Sequence, residues 1–183
     1  MKNCSQNTDQ SVYDHGASVR DYVFDLISYL EGNELKNKWI LPSWFTQNKN
    51  NLLKNISSKE IINEYTLFHD CSKPYCKIID EFGKQHFPNH AQLSYELWMK
   101  IGGNKIAANL MKMDMDIHNL KSEGINEFAS RKEAVTLLIT GLAEITANSK
   151  MFGGFDSQSF KIKYKQIDRK GKAICNKLFI MEK

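Results

Sequence analysis

The chain has 183 residues, of which 42% are hydrophobic and 25% charged, with a formal net charge of +4. That length supports a substantial core in one domain, and that balance excludes a disordered chain. The mild positive charge is compatible with a polyanionic ligand and is no argument for one. Cys4, Cys71, Cys76 and Cys175 form neither a CxxC pair nor a disulfide framework. They are expected as free thiols, with a thiolate ligand at Cys71 or Cys76 as the alternative. The opening MKNCSQNTDQ has no apolar signal segment, and the apolar stretch 134–143 is too short to span a bilayer. A cytoplasmic protein with no membrane partner is expected.

Residues 1–11 are expected to form a flexible tail. From Val12, the positions Tyr13, Ala17, Phe24, Ile27 and Leu30 recur near helical spacing and predict a helix ending at Glu31-Gly32. His15 lies in its first turn. Residues 32–58 are polar and asparagine-rich, yet Trp39, Ile40, Leu41, Trp44 and Phe45 form an apolar knot, predicting a loop or short helix folded over the core. Ser58 is a candidate cap for a helix through Ile61, Ile62, Tyr65 and Phe68 into His69 and Asp70. Pro74 is expected to break that helix by disfavouring the α conformation at Lys73, and to open a short helix stopping near Gly83.

Asn89 is the predicted cap of a helix from His90 to about Ile101, which Gly102-Gly103 stops. The next helix is predicted from Lys105 to about Leu120. Ile106, Leu110, Met113 and Ile117 form its core stripe, while Asp114 and His118, four apart, share another face. Ser130 and Glu133 have capping-box spacing before a helix through Val135, Leu138, Leu142 and Ile145, which also carries Glu144. A glycine turn in 151–160 leads into a last helix. Phe160, Tyr164, Ile167, Ile174 and Leu178 lie on one side of it, and Lys161, Lys163, Lys165, Arg169, Lys170 and Lys172 on the other.

The chemistry concentrates between Glu64 and His90, in EYTLFHDCSKPYCKIIDEFGKQHFPNH. Adjacent side chains on a regular helix point about 100° apart, so His69 and Asp70 can face one metal only where the helix ends or bends. A histidine and a carboxylate suit Mn²⁺, Fe²⁺, Zn²⁺ or Mg²⁺, and Lys73 suits a phosphate oxygen.

HDCSKP resembles the His-Asp doublet and lysine of the HD superfamily of metal-dependent phosphohydrolases. FPNHAQLSYELW is similar to the FPGH-type segment in the HD domains of CCA-adding tRNA nucleotidyltransferases. The resemblance covers roughly 12–150, and its specific part is 69–74 and 87–98. It implies an all-α fold, a single compact HD-type helical domain of about six to seven helices over 12–183, with 157–183 a basic C-terminal helix packed on it.

By the same resemblance, His15, His69 and Asp70 are metal ligands, with the last carboxylate left open among Asp114, Asp116 and Glu144. The glutamate at 144 stands where the family carries an aspartate. Asp70 and Lys73 are candidate catalytic groups, and His90 and His118 are candidates for a second metal or for the leaving group. An aspartate stands where binuclear members carry a further histidine. The implied cofactor is a divalent metal (Mn, Mg, Co, Ni, Fe or Zn).

The implied function is hydrolysis of a phosphate ester of a nucleotide or related small molecule by a metal-activated water. Two alternatives stand beside it. One is a 2′,3′-cyclic phosphodiesterase or phosphatase acting on RNA ends, with the basic last helix as a backbone contact. The other is a non-catalytic module binding a nucleotide or a protein partner.

Overall fold

Helix dominates the computed structural model, which describes residues 1–6 and 10–179. The fold class is all-α as predicted, 64% helical with one small two-stranded sheet. The longer helices are α1 (Val12–Leu30), α4 (Lys59–Phe68), α6 (His90–Lys100), α7 (Lys105–Lys112), α10 (Ala134–Ala147) and α11 (Gln158–Phe179). Single turns or little more are α2 (Ser43–Gln47), α3 (Lys49–Asn55), α5 (Lys73–Cys76), α8 (Asp116–Asn119) and α9 (Ile125–Ala129). The chain divides into two compact units, one comprising Met1–Arg20 and Ser58–Met115, the other Asp21–Ser57 and Asp116–Lys183. No helix among the described residues is long and apolar enough to cross a membrane.

In the first unit, α7 packs against both α4 and α6. Val12, Val19, Ile62, Tyr65, Leu110 and Met111 are fully buried there, each such apolar side chain contributing about 1.5–3 kcal/mol relative to exposure. Ser58 caps α4 as predicted, its hydroxyl accepting from Ile61 N at 3.5 Å. Gly102, at φ 79°, ends the helix that His90 opens. Phe68 stacks on Trp98 with ring centroids 4.6 Å apart. Glu64 accepts hydrogen bonds from the Trp98 indole and, at 2.7 Å, from Asn104 N.

Several predicted boundaries change. Pro74 does not keep Lys73 out of the helix: Lys73 opens α5, and the break falls before it, across His69–Ser72. The predicted helix to Gly83 stops at Cys76, and β1 (Ile78–Ile79) pairs antiparallel with β2 (Gln85–His86). Asp80 closes that hairpin, accepting from Phe82 N at 3.0 Å and Lys84 N at 2.9 Å. Asn89 precedes α6 with φ 54°, and its side chain makes no cap hydrogen bond. Residues 1–6, expected in a flexible tail, carry a bridge from Ser5 to Ser11 and bury Cys4. Residues 7–9 of that tail, and 180–183 of the basic C-terminal segment, lie outside the described residues.

In the second unit, α10 is buried on nearly every side, as its apolar composition requires. It packs against α3, α8 and α11, and α11 packs against α2 and α9. The apolar knot is part loop and part helix: Trp39, Ile40 and Leu41 lie outside any helix, with Ile40 exposed, whereas Trp44 and Phe45 of α2 are buried. Gly171 makes room for the Trp44 indole. Asp25 gathers the segment that follows α1, accepting from Lys36 N at 2.8 Å, Asn37 N at 2.9 Å and the Trp39 indole at 2.9 Å. The capping box does not form: the Ser130 hydroxyl donates to Glu127 O at 2.7 Å, and no side chain caps α10.

Candidate metal centre

The first unit buries His15, His69 and Asp70 as a group that can hold a metal ion, with one ligand atom from each within 4.8 Å of the others. His69 Nε2 lies 3.3 Å and His15 Nε2 3.7 Å from Asp70 Oδ2. The geometry follows from the end of α4. His69 is its C-cap, and the turn through Ser72 swings Asp70 to the same side as His69. His15 arrives from the first turn of α1, its ring edge-on to His69 with centroids 5.3 Å apart.

Local backbone fixes which nitrogen each ring presents. His69 Nδ1 lies 2.8 Å from Thr66 O, and a carbonyl oxygen only accepts, so Nδ1 carries a proton. Nε2 is then the nitrogen turned toward Asp70. His90 repeats the arrangement, with Nδ1 2.9 Å from Phe87 O and Nε2 3.6 Å from Asp70 Oδ1. Metal-ligating histidines are commonly oriented in this way by a backbone carbonyl.

Asp70 is 1% exposed, and an unpaired buried carboxylate is costly. Lys73 donates to Asp70 Oδ2 at 2.6 Å and to Gln6 Oε1 at 3.0 Å. Burial pushes the Asp70 carboxyl up, but the neighbouring positive charges of His69, Lys73 and His15 outweigh it and hold the group well below the usual carboxylate range. Asp70 Oδ1 has no hydrogen-bond partner among the described residues. A buried carboxylate oxygen without a donor, beside imidazole Nε2 atoms, fits a cation.

The remaining candidate residues are distributed as follows. Asp114 is buried in the first unit and accepts from the Tyr65 hydroxyl at 2.5 Å. It does not share a helix face with His118, because α7 ends at Lys112 and α8 begins at Asp116. His118 and Glu144 belong to the second unit and pair there, Nε2 to Oε2, at 2.8 Å. Asp116, also in that unit, accepts from Arg131 at 2.5 Å. All four cysteines are free thiols, as expected. Cys71 is buried, its thiol 3.8 Å from Ser94 O, and desolvation raises its pKa.

Sequence reasoning missed Gln6, which sits in the supposed tail and has no motif to mark it. It also missed the Tyr65 hydroxyl, which the helical pattern assigned to the core on apolar grounds alone. Comparisons with protein-family models, curated proteins and solved structures found no match.

Proposed function

We propose that this protein is a metal-dependent phosphohydrolase, acting on a phosphate ester of a nucleotide or related small molecule. The observation that carries the reading is the buried convergence of His15, His69 and Asp70, with Asp70 Oδ1 left without a donor among the described residues. The nitrogen and oxygen donors suit Mn²⁺, Fe²⁺, Co²⁺, Ni²⁺, Zn²⁺ or Mg²⁺. A bound divalent cation supplies a low-pKa water and offsets charge on phosphoryl oxygens.

The chain's own groups do the rest. His15 and His69 would hold the cation, and the Thr66 carbonyl keeps the His69 ring from rotating. Lys73 occupies Asp70 Oδ2, so Oδ1 is the oxygen available to orient an attacking water. His90 Nε2, 3.6 Å from Oδ1, would be placed to position the leaving group.

The test is metal content together with turnover on a panel of phosphomonoesters, nucleotides and cyclic nucleotides, with Mn²⁺, Mg²⁺, Co²⁺, Ni²⁺ or EDTA. Wild type is expected to bind metal and hydrolyse one substrate class. Asp70→Asn is expected to lose at least about a hundredfold in rate, the scale of a general base or positioned water. Retained metal without turnover would point to a non-catalytic binding module. Absence of metal binding would sink the proposal.

A further inference from the structure

The cationic charge of this chain is concentrated in one element. α11 carries seven basic side chains against Asp168 alone, a net +6, so the rest of the chain is −2 within a total of +4. Arg169, Ala173 and Lys177 follow one another at four-residue spacing and therefore share a face. In the second unit that face lines a groove of about 400 Å³, whose opposite wall comes from Lys121, Ser122 and Asn126. No carboxylate is among its described lining residues.

Lys170 forms part of the same wall and spends two donors on Ile117 O and His118 O, at 2.9 and 2.6 Å. Burial lowers its pKa, and the charges of Arg169 and Lys163 lower it further. Like charges at helical four-residue spacing each cost a few tenths of a kcal/mol. Lys161, Lys165 and Arg169 stand at that spacing along α11.

We propose that this groove binds the phosphate backbone of a single-stranded nucleic acid. Three observations select a strand over a compact anion. Lys121, Arg169 and Lys177 are exposed along an open groove and do not enclose a cradle. The basic run continues beyond it along α11 through Lys165 and Lys161, which extend the four-residue series, so the positive track is longer than the groove. Ser122 and Asn126 add neutral hydrogen-bonding groups, the usual companions of lysine and arginine at phosphates. No aromatic side chain lines the groove among the described residues, so base stacking is not part of the recognition and the site reads backbone without sequence. This inference stands independently of hydrolysis in the first unit.

The test is fluorescence anisotropy with a labelled single-stranded oligonucleotide of about a dozen nucleotides, several times the smallest single-strand site sizes. EDTA is present throughout, so that cleavage plays no part. Wild-type binding should weaken steeply between about 50 and 200 mM salt. Arg169→Gln/Lys177→Gln should weaken it at least tenfold and reduce the salt slope by about 1.4, two contacts at about 0.7 each. Lys121→Gln, outside α11, should weaken it in the same direction should the helix variant prove unfolded by circular dichroism. Lys100→Gln/Lys105→Gln, with the same charge change in the first unit, should leave affinity within about threefold. Equal weakening by the two double variants, or no binding at the lowest salt, would overturn the proposal. So would displacement of the strand by pyrophosphate at matched phosphate concentration, which would identify a small-anion site instead.

Discussion

Gly16→Ala tests whether the candidate metal centre depends on how closely α1 approaches the end of α4. A Cβ at position 16 would lie 3.0 Å from Leu67 C and 3.2 Å from Thr66 O, and closer still to Leu67 O. Two effects of known size oppose each other. In an unobstructed helix, alanine is better than glycine by about 0.8–1.0 kcal/mol. Overpacking typically costs about 1–3 kcal/mol, and the obstacle here is backbone, which cannot rotate aside. The clash should win, giving a net destabilisation of up to about 2 kcal/mol.

The site should suffer beyond stability. The Cβ would press hardest on the Leu67 carbonyl, adjoining the Thr66 carbonyl that orients the His69 ring and itself lies 3.2 Å from the Cβ, and His15 is the residue just before Gly16 on α1. Metal affinity should fall by at least about tenfold, the scale seen when orienting partners of ligands are lost. Urea unfolding and Mn²⁺ titration by calorimetry read the two effects separately. An unchanged or raised midpoint together with unchanged Mn²⁺ affinity would refute the reasoning.

Two further outcomes are expected. Burial pushes the Asp25 carboxyl up, but hydrogen bonds from the Lys36 amide, the Trp39 indole and Asn37 outweigh it and hold it below the ordinary 3.8. Stabilisation from a depressed carboxyl is present above the unfolded-chain pKa and lost as pH falls through the lower folded value. Asp25→Asn should therefore give a shallower fall of melting temperature below about pH 4 than wild type, and an identical slope would count against the clamp. Gly171→Ala should destabilise by about 1–3 kcal/mol, because its Cβ would meet the Trp44 indole, with Cζ2 at 2.6 Å. Trp44→Phe in that background should recover part of the loss, and a double-mutant cycle with no coupling would argue against the contact.

What the sequence made legible was periodic and capped. α1 and α11 repeat apolar positions over many turns, and Ser58 marks the start of α4 with a side chain that does cap it. The hairpin was misread as helix because strands of two residues leave no period to detect. Its local signs were present all the same, in the β-branched Ile78-Ile79 pair and the Asp80–Gly83 turn. The break between α7 and α8 carries neither glycine nor proline, so the helical pattern runs straight through it. Asp114 leaves the helix there to accept the Tyr65 hydroxyl, a partner far away in sequence. At Ser130 the capping motif was present, but its hydroxyl turns back to Glu127 O, and Arg131 ties Glu127 to Asp116. Tertiary pairing displaced the helical pattern at Asp114, and a local hydrogen bond displaced the cap at Ser130.

The same division runs through the candidate metal centre. Each oriented imidazole, His69 and His90, is held by the carbonyl three residues before it, at Thr66 and Phe87. Ring orientation is thus a property of short local segments. Distance is not local. Bringing His15 within 3.7 Å of Asp70 requires α1 to lie against the backbone of α4, and only a residue without Cβ permits that at position 16. Lys73 likewise draws its second acceptor, Gln6, from a segment that looks like an unstructured tail. Local sequence therefore fixes which atoms face the candidate centre, whereas Gly16, silent in any motif, governs how closely α1 can approach, and Gln6, equally silent, holds Lys73.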